Sequence, residues 1–362
     1  MATGVILWHS WPLTGRRVSF PPAHQLLRDV WVDGFFAISG FLITWSWFRN
    51  PRVRSYFAAR ALRILPGLWV CLIVVAFVIA PLAVAIQGGS PAKLLLSRAP
   101  FEYVLGNSAV VITKNDIGGT PTGVPSPGVW DGSLWTLLWE VLCYLAVAVF
   151  GVSGLLRRRW FIPALLALAL AWSALLPPWG VFADLVEAQR SIDQSAAALL
   201  VQTVAARFSV MFFAGALIYR YRKVIPAQWS LVWLSLAIVL ASSLLPNYRL
   251  VGAIPLAYAI IVSGSLVHNK YLTLRTDLSY GVYIYAWPMQ QLLIICGLAF
   301  LGPFVFAIIA AAATLPLAAL SWYLVEKPSL AYRSRIVRSS RATVGESRSN
   351  LWYHDNGPGD RN

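Results

Sequence analysis

Nine apolar segments restrict what this chain can fold into. A transmembrane helix needs about 20 consecutive, mostly apolar residues, and these segments approach or exceed that length. They lie near residues 31–48, 65–86, 134–154, 160–180, 196–219, 228–246, 250–267, 278–300 and 303–324. A tenth candidate, "GVILWHSWPL" at residues 4–13, is too short to cross a bilayer alone. The sequence therefore predicts an all-α integral membrane protein, a polytopic bundle of about ten transmembrane helices.

The composition favours one membrane domain over several soluble ones. Hydrophobic residues make up 58% of the 362 residues and charged residues 12%, about half the charged fraction of a soluble domain. We predict a single transmembrane domain at residues 1–330 and a basic, largely disordered tail at residues 331–362. The three cysteines lie inside apolar segments without metal-ligand spacing, so we expect core residues and no metal site.

The positive charge predicts the orientation of the bundle. The formal net charge is +15, and cytoplasmic loops of membrane proteins carry an excess of Lys and Arg. Placing the arginine-rich turn at residues 49–63 inside, and alternating from there, puts 20 of the 29 Lys and Arg on the inner side, Lys270 and Arg275 among them. Both termini are then cytoplasmic, and segment 4–13 is the outer half of an N-terminally truncated first helix. This one-sided charge is typical of an oriented bundle, so no nucleic-acid partner is expected.

Two polar residues near the predicted outer side are candidates for catalysis. His9 lies within the short first segment, and ionisable groups inside membrane segments are rare and often functional. Its imidazole accepts a proton near neutral pH, so it can act as a general base towards an acceptor hydroxyl; an interfacial histidine with solvent access is the alternative. Asp33 opens the next segment in "WVDGFFAISGFLIT". It either orients the imidazole or favours a helix N-terminus through the macrodipole.

Arg60 and Arg63 stand apart from the other inner charges. They occupy "RALRILPG" immediately before an apolar segment, and residues three apart share one face of a helix. A planar guanidinium can hold a phosphate through two hydrogen bonds. Positive-inside signalling is the alternative, and on the residues alone the two readings are balanced.

Further polar and aromatic residues lie within the predicted spans. Glu140 and Arg207 each fall inside an apolar segment, where an unpaired charge is costly. We therefore expect a Glu140–Arg207 ion pair, with substrate binding as the second role. Trp135, Tyr280 and Tyr283 lie in the aromatic-rich stretches "SLWTLLWEVLCYL" and "LSYGVYIYAWP", where rings either pack or stack on sugars.

Several classes of chemistry have no sequence support. The chain contains no P-loop, no G-x-G-x-x-G, no H-E-x-x-H and no G-x-S-x-G motif.

Two other classes of function remain as alternatives. A flippase or exporter of glycolipid or polysaccharide, without chemistry of its own, would use the same basic residues at the inner side and the same aromatic residues within the spans. A membrane scaffold would leave the polar residues within the spans without a purpose.

Taken in order, the segments resemble the membrane-bound acyltransferase 3 family, of the O-antigen and exopolysaccharide O-acetylase type. The resemblance covers nearly the whole chain and is carried by an ordered set of motifs: "ILWHS", "VDGFFAISGFLIT", "RALRILPG", "SLWTLLWEVLCYL", "LSYGVYIYAWP" and "LVEKP". Single motifs are weak, whereas the ordered set is specific. One departure is Ala286, at a position where many family members have histidine.

The resemblance implies a function and roles for several residues. His9 matches the essential membrane histidine of the family, Arg60 and Arg63 match its cytoplasmic Arg-x-x-Arg, and Glu140 matches a recurrent acidic position. The implied reaction moves an acyl group, usually acetyl, from cytoplasmic acyl-CoA to a hydroxyl of a cell-surface or lipid-linked glycan. Acetyl-CoA is then a donor substrate rather than a permanently bound cofactor. The expected location is the bacterial cytoplasmic membrane, with acyl-CoA, the glycan and membrane lipids as partners.

Overall fold

The computed structural model describes residues 1–182, 194–267 and 276–331. Within these ranges the structure is helical, and its only extended pairing is an isolated bridge between Ile117 and Thr120. This confirms the predicted all-α architecture. The predicted disorder of residues 332–362 and the predicted inner placement of Lys270 and Arg275 lie outside the described residues.

Helices of very different length build the bundle. In chain order the α-helices are α1 (Ala2–Leu13), α2 (Pro21–Arg49), α3 (Val53–Val74), α4 (Ala80–Ile86), α5 (Pro91–Leu95), α6 (Ala99–Asn107), α7 (Trp135–Val152), α8 (Phe161–Leu175), α9 (Gln194–Tyr221), α10 (Trp229–Ser242), α11 (Arg249–Leu266), α12 (Ser279–Ile295) and α13 (Pro303–Ser321). The short α5 and α6 lie in the long connection between α4 and α7. The other helices follow the apolar segments of the sequence.

Five helical stretches in the described residues are long and apolar enough to cross a membrane. They are Val53–Ile86, Trp135–Val152, Ala196–Tyr221, Arg249–Leu266 and Pro303–Ala331. The apolar helices α8 and α10 have 15 and 14 residues, and α2 is longer but carries three charged residues in its N-terminal half. The structure is thus a polytopic membrane bundle in which long spans pack beside shorter apolar helices.

Two π-helical segments interrupt the regular helices, at Val75–Ile79 and Trp322–Glu326. Each ends two residues before a proline, Pro81 or Pro328. A proline has no N–H and its ring clashes with the carbonyl four residues earlier, so the preceding turn loses a regular i→i−4 bond. The backbone instead forms i→i−5 bonds, such as the one from Ala80 N–H to the Val75 carbonyl. The second segment carries Glu326, which is buried and lies 3.6 Å from Arg63.

The central contact of the bundle is between α2 and α9, and two glycines permit it. A Cβ atom at Gly40 would lie 1.9 Å from the carbonyl oxygen of Phe212, and one at Gly215 would lie 1.8 Å from that of Ala37. Small residues at a helix interface let the backbones approach closely. The close approach places the polar residues of α2 against α9.

Candidate active site

Two cavities lie within the bundle, and each contains one set of the predicted site residues. One, of about 400 Å³, is lined by His9, and we call it the outer cavity after the predicted orientation. The other, of about 600 Å³, is lined by Arg60, Arg63 and Glu140, and we call it the inner cavity in the same sense. Besides His9, the outer cavity is lined by Val5, Trp8, Arg28, Asp29, Val32, Gly132, Ser133, Trp135, Thr136, Trp139, Trp179, Leu200, Val201, Val204, Arg207 and Tyr283.

Val32, Thr136 and Tyr283 line both cavities, and we call this set the junction. Because the same three side chains form a wall of each cavity, a single layer of side chains separates the two volumes. The two cavities therefore adjoin at the junction, with the guanidinium groups of Arg60 and Arg63 on one of them and the His9 imidazole on the other. The hydroxyl groups of Thr136 and Tyr283 are 2.6 Å apart, and Tyr283 also donates to the Ser133 carbonyl at 3.0 Å.

His9 is held in the outer cavity by α12. The amide of Gln290 donates to the Ile6 carbonyl and to the Ser10 hydroxyl, both at 3.0 Å, which ties α1 to α12 on either side of His9. The His9 ring packs edge-on against Trp287, with ring centroids 4.6 Å apart. Within the part of the chain that the structure describes, its buried Nδ1 atom has no hydrogen-bond partner.

Gly132 makes room for Trp287. A Cβ atom at Gly132 would lie 2.9 Å from the indole ring. The indole N–H donates to the Val129 carbonyl at 3.2 Å, and Gln291 donates to the same carbonyl at 2.9 Å. The loop before α7 therefore fixes the indole that supports the imidazole.

Asp33 does not hydrogen-bond to His9, in contrast to the predicted alignment. It accepts hydrogen bonds from Arg207 Nε at 2.8 Å, from Arg249 Nε at 2.6 Å and from Tyr248 at 2.6 Å. The residue is fully buried and lines neither cavity. The physical reason is charge: two buried guanidinium groups compete for the carboxylate far more strongly than a neutral imidazole does.

The predicted Glu140–Arg207 pair is wrong. Arg207 lies against the N-terminal half of α2, where it pairs with Asp33 and with Asp29 at 3.4 Å. Asp29 also pairs with Arg249 at 2.8 Å and with Arg28 at 3.2 Å. We call Arg28, Asp29, Asp33, Arg207 and Arg249 the outer charge cluster.

Glu140 instead faces the inner cavity. It accepts a short hydrogen bond from the hydroxyl of Tyr144, one helical turn later, and a weak one from Ser39 at 3.5 Å. Glu140 is half-buried and shares its cavity with both arginines of the "RALR" motif. Its position leaves it available to a ligand in that cavity.

Arg60 and Arg63 both reach the inner cavity but differ in their partners. The Arg60 guanidinium lies over the rings of Tyr56 and Tyr144, at 5.3 and 5.7 Å from their centroids. Its buried Nε has no hydrogen-bond partner in the described ranges. Arg63 pairs with Asp277 at 2.6 Å and with Glu326 at 3.6 Å.

Several residues of the site were not singled out from the sequence. Arg249 begins α11 and Asp29 lies eight residues after the start of α2, so both lie just outside the predicted apolar segments. Glu326 was visible only as part of the "LVEKP" motif. Of the predicted aromatic residues, Trp135 lines the outer cavity, Tyr280 the inner cavity and Tyr283 both.

Asp131 is a buried acid in the loop before α7, outside the membrane-spanning helices. It accepts a hydrogen bond from the Ser133 N–H at 2.9 Å, while its other oxygen has no partner in the described structure. Burial raises the pKa of the Asp131 carboxyl well above its usual range. Among the described residues no group of three or more His, Cys, Asp or Glu side chains is arranged to hold a metal ion.

Comparison with known proteins places the chain in a family. The model of the acyltransferase 3 family, described as an acyltransferase domain, matches residues 1–323. The chain is 28% identical over 327 residues to nodulation protein 10 of Rhizobium leguminosarum bv. viciae, covering 84% of this chain and 82% of that protein. It is 26% identical over 340 residues to an O-acetyl transferase of Shigella phage Sf6, covering 89% and 91% of the two chains. No solved structure matches it. The chain therefore belongs to the acyltransferase 3 family and is a membrane acyltransferase.

Proposed function

We propose that this protein transfers an acyl group, acetyl in the first instance, from cytoplasmic acyl-CoA to a hydroxyl of a cell-surface or lipid-linked glycan. One observation carries the proposal: the arginine-bearing cavity and the histidine-bearing cavity share the wall formed by the junction. A long donor could then be held at its anionic end while its thioester reaches the imidazole. The name of the Shigella phage relative, an O-acetyl transferase, supports acetyl as the group and oxygen as the acceptor atom.

The inner cavity suits the donor. Arg60 and Arg63 would hold phosphates of coenzyme A, since guanidinium groups bind phosphate through paired hydrogen bonds. Both arginines lie in the N-terminal half of α3, in the segment that the charge distribution assigns to the cytoplasm. In this orientation both termini face the cytoplasm, the membrane is the bacterial cytoplasmic membrane, and the donor enters from the side on which acyl-CoA is made.

The outer cavity suits a sugar. Four tryptophans line it, Trp8, Trp135, Trp139 and Trp179, and aromatic rings offer flat apolar faces on which the C–H faces of sugar rings can stack. Charged groups of the outer charge cluster also reach this cavity and can hydrogen-bond to hydroxyl groups. An acceptor held there would present a hydroxyl to His9.

In this mechanism His9 is the general base. A ring nitrogen takes the proton of the acceptor hydroxyl as its oxygen attacks the thioester carbon, and the tetrahedral intermediate then expels the thiolate. The thiolate takes the proton back from the imidazolium, which releases an ester and the free thiol of coenzyme A. Trp287 and the α12 contacts would hold the ring in place, whereas Asp33 would support α2, α9 and α11.

Purified protein with radiolabelled acetyl-CoA tests the proposal. We expect release of the thiol and transfer of label to sugar hydroxyls, which an exporter without chemistry would not produce. His9→Gln keeps a polar side chain but cannot accept the proton, so it should abolish transfer while acetyl-CoA still binds. Transfer at the normal rate by this variant would overturn the assignment of His9.

The donor site is tested separately. Arg60→Ala together with Arg63→Ala should weaken acetyl-CoA binding, because the double variant lacks both side chains that are proposed to bind the phosphates. The matched control is Arg52→Ala with Arg54→Ala, which removes two exposed arginines from the same turn and helix start. If both double variants bind acetyl-CoA equally well, the donor assignment is wrong.

A further inference from the structure

The junction holds two hydroxyl groups at the point where the two cavities meet. Thr136 and Tyr283 are each less than one-tenth exposed, and both line the outer and the inner cavity. Their oxygens are 2.6 Å apart, and both lie near one carbonyl, that of Ser133, at 3.1 Å from Thr136 and 3.0 Å from Tyr283. Val32, the third member of the junction, has no polar side-chain atom.

One of these two hydroxyl groups can donate its hydrogen bond to a ligand instead of to the protein. Thr136 sits in the first turn of α7, and its hydroxyl donates back to the Ser133 carbonyl three residues earlier. With that donation in place, the Tyr283 proton is shared between the Thr136 oxygen and the same carbonyl, which is already satisfied. Tyr283 can therefore turn its proton to a ligand without leaving a buried acceptor unpaired.

We propose that the Tyr283 hydroxyl donates a hydrogen bond to the thioester oxygen of the donor and stabilises the oxyanion that forms during transfer. This assignment rests on the proposed function. A thioester that reaches His9 from the inner cavity passes the junction, where Thr136 and Tyr283 are the hydroxyl-bearing side chains that line both cavities. A phenol is more acidic than an aliphatic hydroxyl and so gives a stronger hydrogen bond to a developing negative charge.

The step balances as follows. The acceptor oxygen forms a bond to the thioester carbon, its proton passes to His9, and the carbonyl π electrons move to the oxygen. Tyr283 donates a hydrogen bond to this oxyanion and keeps its own proton. The carbonyl then re-forms, the carbon–sulfur bond breaks, and the thiolate leaves with the proton from His9.

A pair of isosteric substitutions separates this role from a structural one. Tyr283→Phe and Thr136→Val each break the same Thr136–Tyr283 hydrogen bond, but only the first removes the proposed donor to substrate. Tyr285→Phe is the matched control, because Tyr285 lies on the same helix, is 2% exposed and lines neither cavity. The assay measures kcat and KM for acetyl-CoA from the rate of thiol release. The full chain is used in dodecyl maltoside, so that water and the sugar hydroxyls of the detergent serve as acceptors.

We expect Tyr283→Phe to lower kcat by about 100-fold or more, the usual loss on removing one oxyanion donor, with KM changed by less than about 3-fold. The loss of kcat in Thr136→Val should be at least about 10-fold smaller than that in Tyr283→Phe, and the kcat of Tyr285→Phe should match that of the parent protein. Thermal unfolding of each variant gives the folded fraction that normalises kcat.

Two outcomes overturn the proposal: equal losses in Tyr283→Phe and Thr136→Val, or a normal kcat in Tyr283→Phe. A parent protein that releases no thiol would instead overturn the proposed function. If the parent releases thiol, His9→Gln does not, and the two junction variants lose equally, then only the role of Tyr283 is wrong.

Discussion

Asp33→Asn separates a structural role of this carboxylate from a catalytic one. The carboxylate accepts hydrogen bonds from Arg207 at 2.8 Å, Tyr248 at 2.6 Å and Arg249 at 2.6 Å. The side chains of the two arginines are 5% and 3% exposed, and that of Asp33 is fully buried. The amide keeps the shape of the side chain but removes one of the two negative charges of the outer charge cluster, which leaves three arginines against one carboxylate.

The expected cost follows from these contacts. A hydrogen bond to a charged partner contributes about 1.5–3 kcal/mol, and breaking a buried ion pair costs about 3–5 kcal/mol. Because the amide oxygen still accepts a hydrogen bond and Asp29 still pairs with both arginines, we expect a loss of about 3–5 kcal/mol in the free energy of unfolding. An unfolding entropy of about 2.1 cal/mol/K per residue amounts to at most about 0.76 kcal/mol/K for the whole chain, so Tm should fall by at least about 4 °C.

The assay measures thermal unfolding in detergent together with acyl transfer per folded molecule. We expect a lower Tm and a kcat of the folded fraction close to that of the parent protein. Glu102→Gln is the control: it removes one acid of an ion pair with Lys114, 3.7 Å apart and half-exposed on both sides, which is worth at most about 1 kcal/mol. An unchanged Tm with a kcat reduced by about 100-fold or more would refute the reasoning and return Asp33 to the chemistry.

Three further predictions concern other parts of the molecule. Burial raises the pKa of the Asp131 carboxyl in the folded protein. The stabilisation by the neutral carboxyl is therefore complete below the pKa of the unfolded chain, about 3.9, and is lost as pH rises towards the pKa of the folded protein, by up to about 1.4 kcal/mol per pH unit. Between pH 5 and 8, Tm should therefore fall less in Asp131→Asn than in the parent protein. Asp277→Asn should tighten acetyl-CoA binding in calorimetry, because it removes the carboxylate that competes with phosphate for Arg63; unchanged affinity would contradict phosphate binding by Arg63. Gly40→Ala should lower Tm by forcing α2 from α9, at a cost of about 1–3 kcal/mol, whereas Gly264→Ala, where a Cβ meets nothing within 4 Å, should not.

The sequence predicted the helices because the membrane leaves few alternatives. Backbone polar groups in a bilayer must be paired internally, so apolar length translates directly into helix. The ends were harder to predict. The segment predicted at 160–180 stops at Leu175, since Pro177 and Pro178 follow and the residue before a proline disfavours the helical conformation. The segment predicted to start at residue 65 belongs to a helix that starts at Val53, because arginines are good helix formers although they are not apolar.

The pairing of the charges could not be read from the sequence. Apolar periodicity says which residues are buried but not which helices are neighbours, and the partner of Arg207 is set by the close approach of α2 and α9. Arg249 lies one residue before the segment predicted at 250–267, whereas in the structure it begins α11 and is buried. His9 lines one of two adjoining cavities and Arg60 and Arg63 line the other, while the roles that the ordered motifs imply for them stay a prediction.

The different partners of the arginines explain why the two ends of the molecule should behave differently. Arg207 and Arg249 each contact two carboxylates and are almost fully buried, so a ligand would have to replace strong bonds that already exist. Among the described residues the buried Nε of Arg60 has no hydrogen-bond partner. Arg63 lies 3.6 Å from the buried Glu326, but its shorter contact is with Asp277, whose side chain is 51% exposed. An exposed ion pair contributes little, at most about 1 kcal/mol, so a phosphate can displace Asp277 from Arg63 at small cost. The same phosphate can also accept a hydrogen bond from Arg60. Anion binding is therefore favoured at the inner cavity, and the outer charge cluster is favoured as a fixed part of the bundle.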